Sequence, residues 1–203
     1  MRRLRGVGCL ACVLALLGLP AGCPTDGTGI GDGALDGGGT GNENGTVLPE
    51  VDPDDPLLQL MSQAEQMVEA DHPRAVLVEA RGTPAGGTVT TADDVVTWRF
   101  LFMADSEVPG ASTVVLDYAD GKFGEPQLLM QGLIGTTYER LPRTMTLTTA
   151  IQFMRDAGYA GPFSQVVLRK PLTFPVPYEA YYAFTVGSRT VLVGMATGEV
   201  SEE

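Results

Sequence analysis

Thr190-Val-Leu-Val-Gly-Met-Ala-Thr-Gly-Glu-Val-Ser-Glu202 has an earlier counterpart in the same chain, Thr113-Val-Val-Leu-Asp-Tyr-Ala-Asp-Gly-Lys-Phe-Gly-Glu125. Thr, Val, Ala, Gly and the closing Glu stand at the same offsets in both. Each copy alternates as a strand does, with Val114, Leu116 and Tyr118 on one face, and Val191, Val193 and Met195 on one face. Each then arrives at a small polar residue followed by glycine, Asp120-Gly121 or Thr197-Gly198. There glycine supplies the positive φ that a tight turn requires. A strand and turn used twice make an internal repeat the first question to settle.

The residues leading into each copy repeat as well. Asp55-Pro56 reads as a capping residue followed by a first-turn proline. Leu57, Leu60, Met61, Ala64, Met67 and Val68 then follow the spacing of an amphipathic helix, which Asp71-His72-Pro73 ends. Strands are predicted over 74–81, 95–104 and 112–118, the second with Val96, Trp98, Phe100 and Phe102 on one face. A second helix carries Leu147, Ala150, Ile151, Met154 and Ala157 on one stripe, capped by Thr146 and stopped by Gly158. Strands follow over 163–170, 178–186 and 190–195. The expected fold is therefore α+β: two similar helix-strand-strand-strand halves, 57–125 and 145–203, each an antiparallel sheet packed by one helix. Residues 126–144 connect them.

The front of the chain has another character. Arg2, Arg3 and Arg5, an apolar run over 7–19, and Pro20-Ala21-Gly22 have the three parts of a secretory signal, 1–22. The apolar run is shorter than the ~20 residues a membrane-spanning helix needs. Leu19-Pro-Ala-Gly-Cys23 resembles the lipobox of bacterial lipoproteins, which implies that Cys23 becomes the lipidated first residue. Pro20 stands where that family prefers leucine, so plain cleavage and secretion is the alternative. Pro24, not aspartate, follows the cysteine, and the resemblance then implies the outer membrane. Residues 24–56 hold nine glycines and eight carboxylates with no lysine or arginine, so 23–56 reads as a lipidation site and a disordered Gly/Asp-rich tether. Its glycine-aspartate spacing is too irregular for a calcium β-roll, and no EF-hand pattern occurs.

Charge and cysteine usage narrow the function. The net charge is −12, and it falls further once the three arginines of the signal are removed. That sign argues against nucleic acid and against binding an anionic lipid surface by charge. Cys9, Cys12 and Cys23 are the only cysteines, so 57–203 has no disulfide, thiol nucleophile or cysteine metal site. His72 is the only histidine and lies at a helix end. No G-x-S-x-G elbow or H-E-x-x-H pair occurs. Asp93, Asp94, Glu179 and Glu199 could form a carboxylate pair only if the fold brought two of them together. The expectation is no catalytic residue, no metal and no cofactor.

The order of elements, with the ending Thr197-Gly198-Glu199-Val200 and its looser echo Asp120-Gly121-Lys122-Phe123, resembles the PepSY-type module. The resemblance covers most of 57–203 and implies a helix followed by an antiparallel sheet. Members occur in propeptides of secreted metalloproteases and in envelope proteins, with inhibitory or binding roles. It therefore implies a non-enzymatic protein that binds or restrains a protein partner in the periplasm or at the cell surface. The alternatives are an envelope hydrolase or carbohydrate-active enzyme using Asp/Glu, and a structural surface protein.

One segment stands out as a contact surface. Lys170-Pro-Leu-Thr-Phe-Pro-Val-Pro177 has three prolines, which remove donors and favour an extended form. Leu172 and Phe174 are then outward apolar anchors, and Tyr178 and Tyr181 follow with amphipathic rings. The competing reading is a rigid crossover between strands. At the other end of the chain, Cys23→Ser should release the protein from the membrane or leave it unprocessed. Mass analysis of the first mature residue checks this, and an unmodified N-terminus in the wild type removes the anchor.

Overall fold

The computed structural model describes residues 48, 50–104, 112–133, 135–172 and 178–203. The expected signal over 1–22, Cys23, most of the expected tether and Phe174 lie outside the described residues. The elements are α1 (Pro56–Glu69), β1 (Val76–Thr83), β2 (Thr97–Met103), β3 (Thr113–Ala119), β4 (Lys122–Phe123) and β5 (Gln127–Leu129). After the connector come α2 (Leu147–Asp156), β6 (Gln165–Arg169), β7 (Tyr181–Val186), β8 (Arg189–Gly194) and β9 (Val200–Glu202).

Both helices begin as their caps dictate. The Leu58 N–H donates to the Asp55 carboxylate at 3.0 Å, and Pro56 takes a first-turn position where no donor is needed. The Thr149 N–H donates to the Thr146 hydroxyl at 3.1 Å. Past the end of α2, Gly158 takes φ 95°, the left-handed conformation that closes a helix. Leu57, Leu58, Met61, Ala64 and Val68 form the buried stripe of α1, and Leu147, Ala150, Ile151 and Met154 that of α2.

Among the described residues, the nine strands belong to one open antiparallel sheet, in the order β4-β3-β2-β1-β6-β7-β8-β9, with β5 paired to β3 beside β4. The strands of 57–125 and 145–203 are thus joined through β1 and β6 and do not form separate sheets. Cross-strand partners make one row over six strands: Leu116, Phe100, Ala80, Leu168, Tyr182 and Val193. None of the six is exposed, and all lie in the core that both helices cover. A bulge between Leu77 and Glu79 shifts the phase of β1, so that Leu77 and Ala80 both face the helices. Among the described residues, no helix is long and apolar enough to cross a membrane.

Several expectations need correction. Val96 is exposed and Val95 is buried. A turn closed by the Val95 N–H on the Ala92 carbonyl precedes β2, which starts only at Thr97. Leu48 and Val51, expected in the tether, pack half-buried against the core. Apolar side chains of that size gain by leaving water wherever a core edge is within reach. The short strands β4, β5 and β9 were not expected.

The two copies of the repeated motif also turn differently. Asp120 and Gly121, with φ 54° and 75°, make a two-residue turn, and Tyr118 pairs with Phe123. In the second copy Val193 pairs with Val200, leaving a loop over 194–199 in which only Gly198 has positive φ. Leu116 and Val193 nonetheless sit in the same fully buried row. Leu116→Ala should cost about 2–5 kcal/mol and Val193→Ala about 1–3 kcal/mol in urea unfolding. A change below ~0.5 kcal/mol at either position would contradict the packing.

Candidate functional site

The connector between β5 and α2 is fastened along one end of the sheet by backbone hydrogen bonds. The Thr137 N–H and the Thr136 hydroxyl both donate to the Lys170 carbonyl, at 3.0 and 3.2 Å. Thr136 forms a β-bridge with Pro171, and the Leu172 N–H donates to the Gly135 carbonyl at 3.3 Å. Farther on, the Leu141 N–H reaches the Leu77 carbonyl at 3.1 Å. Proline at 171 has no N–H to continue the ladder of β6, so the chain leaves the sheet there.

This arrangement presents Tyr138 and Leu172, exposed to 54% and 52%, on segments that are tied together, and Tyr178 is exposed to 52%. Beside them is a cleft of about 280 Å³ lined by Glu139, Arg140, Lys170, Tyr178, Glu179 and Met195. The Lys170 ammonium lies 4.4 Å from the centre of the Tyr178 ring and 2.5 Å from the Glu139 carboxylate. Cation–π attraction and the ion pair together restrict the Lys170 and Tyr178 side chains before anything binds.

Of the contact residues expected from sequence, Leu172 and Tyr178 are exposed and Phe174 lies outside the described residues. Tyr181 is not exposed. It is buried on the sheet face opposite the helices, clustered with Ala183, Leu192 and Val167. Burial, and after it the charges of Glu179 and Glu199, pushes its phenol up to about 12. Alternation along β7 separates it from Tyr182 correctly, but alternation alone does not say whether the second face is covered. Tyr138 was missed because its segment has neither helical nor strand periodicity.

Glu179 has a different task. Its carboxylate accepts from the Ala196 N–H, from the Thr197 N–H at 3.2 Å and from the Thr197 hydroxyl at 2.6 Å. Gly194 makes room for it, since a Cβ there would stand 2.3 Å from the Glu179 oxygen. Three donors from one loop make this carboxylate a clamp on the β8–β9 connection. Asp94 accepts from the Thr91 hydroxyl at 2.6 Å. Among the described residues, no group of three His, Cys, Asp or Glu side chains is placed to hold a metal.

A second cleft, of about 390 Å³, opens where the first turns of α1 and α2 approach the loop before β2. Its lining includes Asp55, Leu57, Asp93, Trp98, Tyr118 and Thr148. Burial raises the Asp55 carboxyl above its usual range. The backbone N–H groups of Leu58 and Leu57 oppose the shift, and the charges of Asp52 and Asp93 add to it.

The folded protein therefore holds the Asp55 proton more tightly than the unfolded chain does. The stability this contributes is complete below about pH 4 and is lost as pH rises through the raised value. Asp55→Asn keeps a capping acceptor without a charge to desolvate. It should match or exceed the wild type in stability near neutral pH and lose any advantage at about pH 3. Asp55→Ala should lie about 1 kcal/mol below Asp55→Asn at either pH. Denaturant unfolding of the three proteins measures all of this.

No family model matches this chain, and no curated protein or solved structure matches it.

Proposed function

We propose that this chain is a non-enzymatic lipoprotein of the bacterial cell envelope, held in the outer membrane through Cys23, that binds or restrains a protein partner. In this reading, residues 57–125 and 145–203 are one PepSY-like unit used twice and joined edge to edge. Register supports the correspondence: Leu116 and Phe100 on one side of the Ala80–Leu168 pair answer to Val193 and Tyr182 on the other. Two residues farther along, Phe102 paired with Val114 answers to Phe184 paired with Val191.

The observation that carries the binding role is the exposure of Tyr138, Leu172 and Tyr178, the first two on segments joined by hydrogen bonds and the third beside the Lys170 ammonium. Tyrosine combines an apolar body with a polar tip and has few rotamers to lose, which suits it to an interface. The backbone bonds at Thr136, Thr137 and Leu172 hold the patch in place in advance. The engagement of Glu179 with its loop favours this reading over carboxylate catalysis, since the group is already occupied in holding backbone.

Replacing Tyr178 in the anchored full-length protein by a photoreactive residue tests this directly. One dominant cross-linked envelope protein is expected, and Leu172→Ser should abolish it without moving the melting temperature. No specific cross-link, or a loss of several degrees on Leu172→Ser, would defeat the proposal.

A further inference from the structure

The cleft at the first turns of α1 and α2 shares no lining residue with the one beside Tyr178. Its volume of about 390 Å³ falls within the range of small-molecule sites, roughly 300–1,000 Å³. Its walls divide by chemistry. Leu57, Val95 and Trp98 are buried apolar lining, while Leu60, Val96 and Tyr118 keep apolar surface accessible. Among the described residues, the charged side chains of the lining are Asp55 and Asp93 alone, with no Lys, Arg or His.

Asp55 is the unusual member of this set. It is only 7% exposed, and among the described residues neither it nor Asp93 is in an ion pair. A carboxylate taken out of water ordinarily has a cation to offset the lost hydration. The N–H groups at the start of α1 supply part of that offset. Burial, and after it the charges of Asp52 and Asp93, still oppose ionisation, and a cation in the cleft would relieve both. The helix termini act in the other direction, each equivalent to roughly +0.5 charge. Together α1 and α2 bring about +1 against two full negative charges in the lining. The balance is negative, and it selects a cation over an anion.

We propose that this cleft binds a small organic amine, its ammonium group paired with Asp55 and Asp93 and its compact apolar body laid against Leu60, Val96 and Tyr118. An ammonium group brings three donors to carboxylate oxygens, and aromatic rings in the lining attract a cation through their faces. The Trp98 indole N–H already donates to the Val95 carbonyl at 3.1 Å, so Trp98 offers a ligand its ring and not its donor. A bare divalent ion is a poor occupant, since it wants about six oxygen ligands and the apolar walls supply none. The net charge of −12 draws organic cations toward the chain as a whole. This inference uses a different surface from Tyr138, Leu172 and Tyr178 and stands or falls separately from the partner reading.

Trp98 is the only tryptophan of the chain, so its emission reports on the cleft. Phenethylamine, protonated at neutral pH, should change that emission saturably when titrated into the full chain in non-ionic detergent. Equilibrium dialysis against a detergent blank counts the bound amine independently. Phenethyl alcohol and hydrocinnamate keep the ring but carry a neutral or a negative group, and each should bind at least about tenfold more weakly. Asp55→Asn keeps the helix cap and Asp93→Asn changes an exposed side chain. Each should weaken the amine by about tenfold without lowering the melting temperature. Absence of saturable binding by both methods, equal binding of the alcohol, tighter binding of hydrocinnamate, or unchanged amine affinity in either variant would overturn the proposal. The comparison of the three ligands is made on the unaltered protein and decides the matter without the variants.

Discussion

The pairing of Ala80 with Leu168 joins the two groups of strands into one sheet, and most of the core depends on it. With that pair in register, Leu116, Phe100, Tyr182 and Val193 fall into a single buried row beneath both helices. Sliding β1 by one residue would send Ala80 to the far face and bring Glu79 or Arg81 toward the helices. The central strand is also kept small for a reason. A Cβ at Gly82 would stand 2.6 Å from Val95 and 2.7 Å from Trp98, so glycine there leaves room for the indole. The indole in turn stacks on Phe100, with a 20° angle between planes.

The same end of the sheet that the connector closes is the end that carries the exposed patch. Backbone groups leaving β6 and entering β7 cannot all find partners in the ladder, because Pro171 interrupts it. The connector supplies partners at the Lys170 carbonyl and the Leu172 N–H. It also brings Thr144 to the Met195 carbonyl at 3.1 Å and the Met145 carbonyl to the Tyr182 hydroxyl at 3.1 Å. Satisfying these groups fixes the backbone of 135–145 on the protein. Tyr138 projects outward as a consequence. Rigidity and exposure at this site therefore have one origin.

Periodicity made the helices and the long strands legible because their side chains face a covered side and must be apolar there. Leu57, Met61, Ala64 and Val68, or Trp98, Phe100 and Phe102, state their elements without any tertiary information. The short strands gave no such signal. Lys122–Phe123 and Gln127–Leu129 are strands only because β3 offers a free side, and that fact depends on residues far along the chain. Tyr181 was misjudged for a related reason: strand parity assigns a face, while burial of that face is a property of the whole fold. Leu172 and Tyr178 could be anticipated because prolines around them forbid a sheet interior, which is a local rule. Tyr138 follows no local rule, and its position depends on hydrogen bonds to Lys170 and Leu172 across the connector.

Repetition in the sequence also carried less than it promised, and one position accounts for much of the difference. Asp117 in the first copy of the motif corresponds to Gly194 in the second. Asp117 points to the face away from the helices and pairs with Arg99 at 2.7 and 3.0 Å. The strand then runs on to Tyr118 and a two-residue turn. At Gly194 no side chain occupies that space, and the Glu179 carboxylate enters it to collect donors from Ala196 and Thr197. Those donors would otherwise be available for a ladder, so the strand ends early and the loop widens. The widened loop carries Glu199 and delivers the chain to a β9 ending in Glu202 and Glu203. One exchange of aspartate for glycine thus accompanies a charged, clamped edge on one side of the sheet, while the other side keeps a tight turn and an uncharged edge.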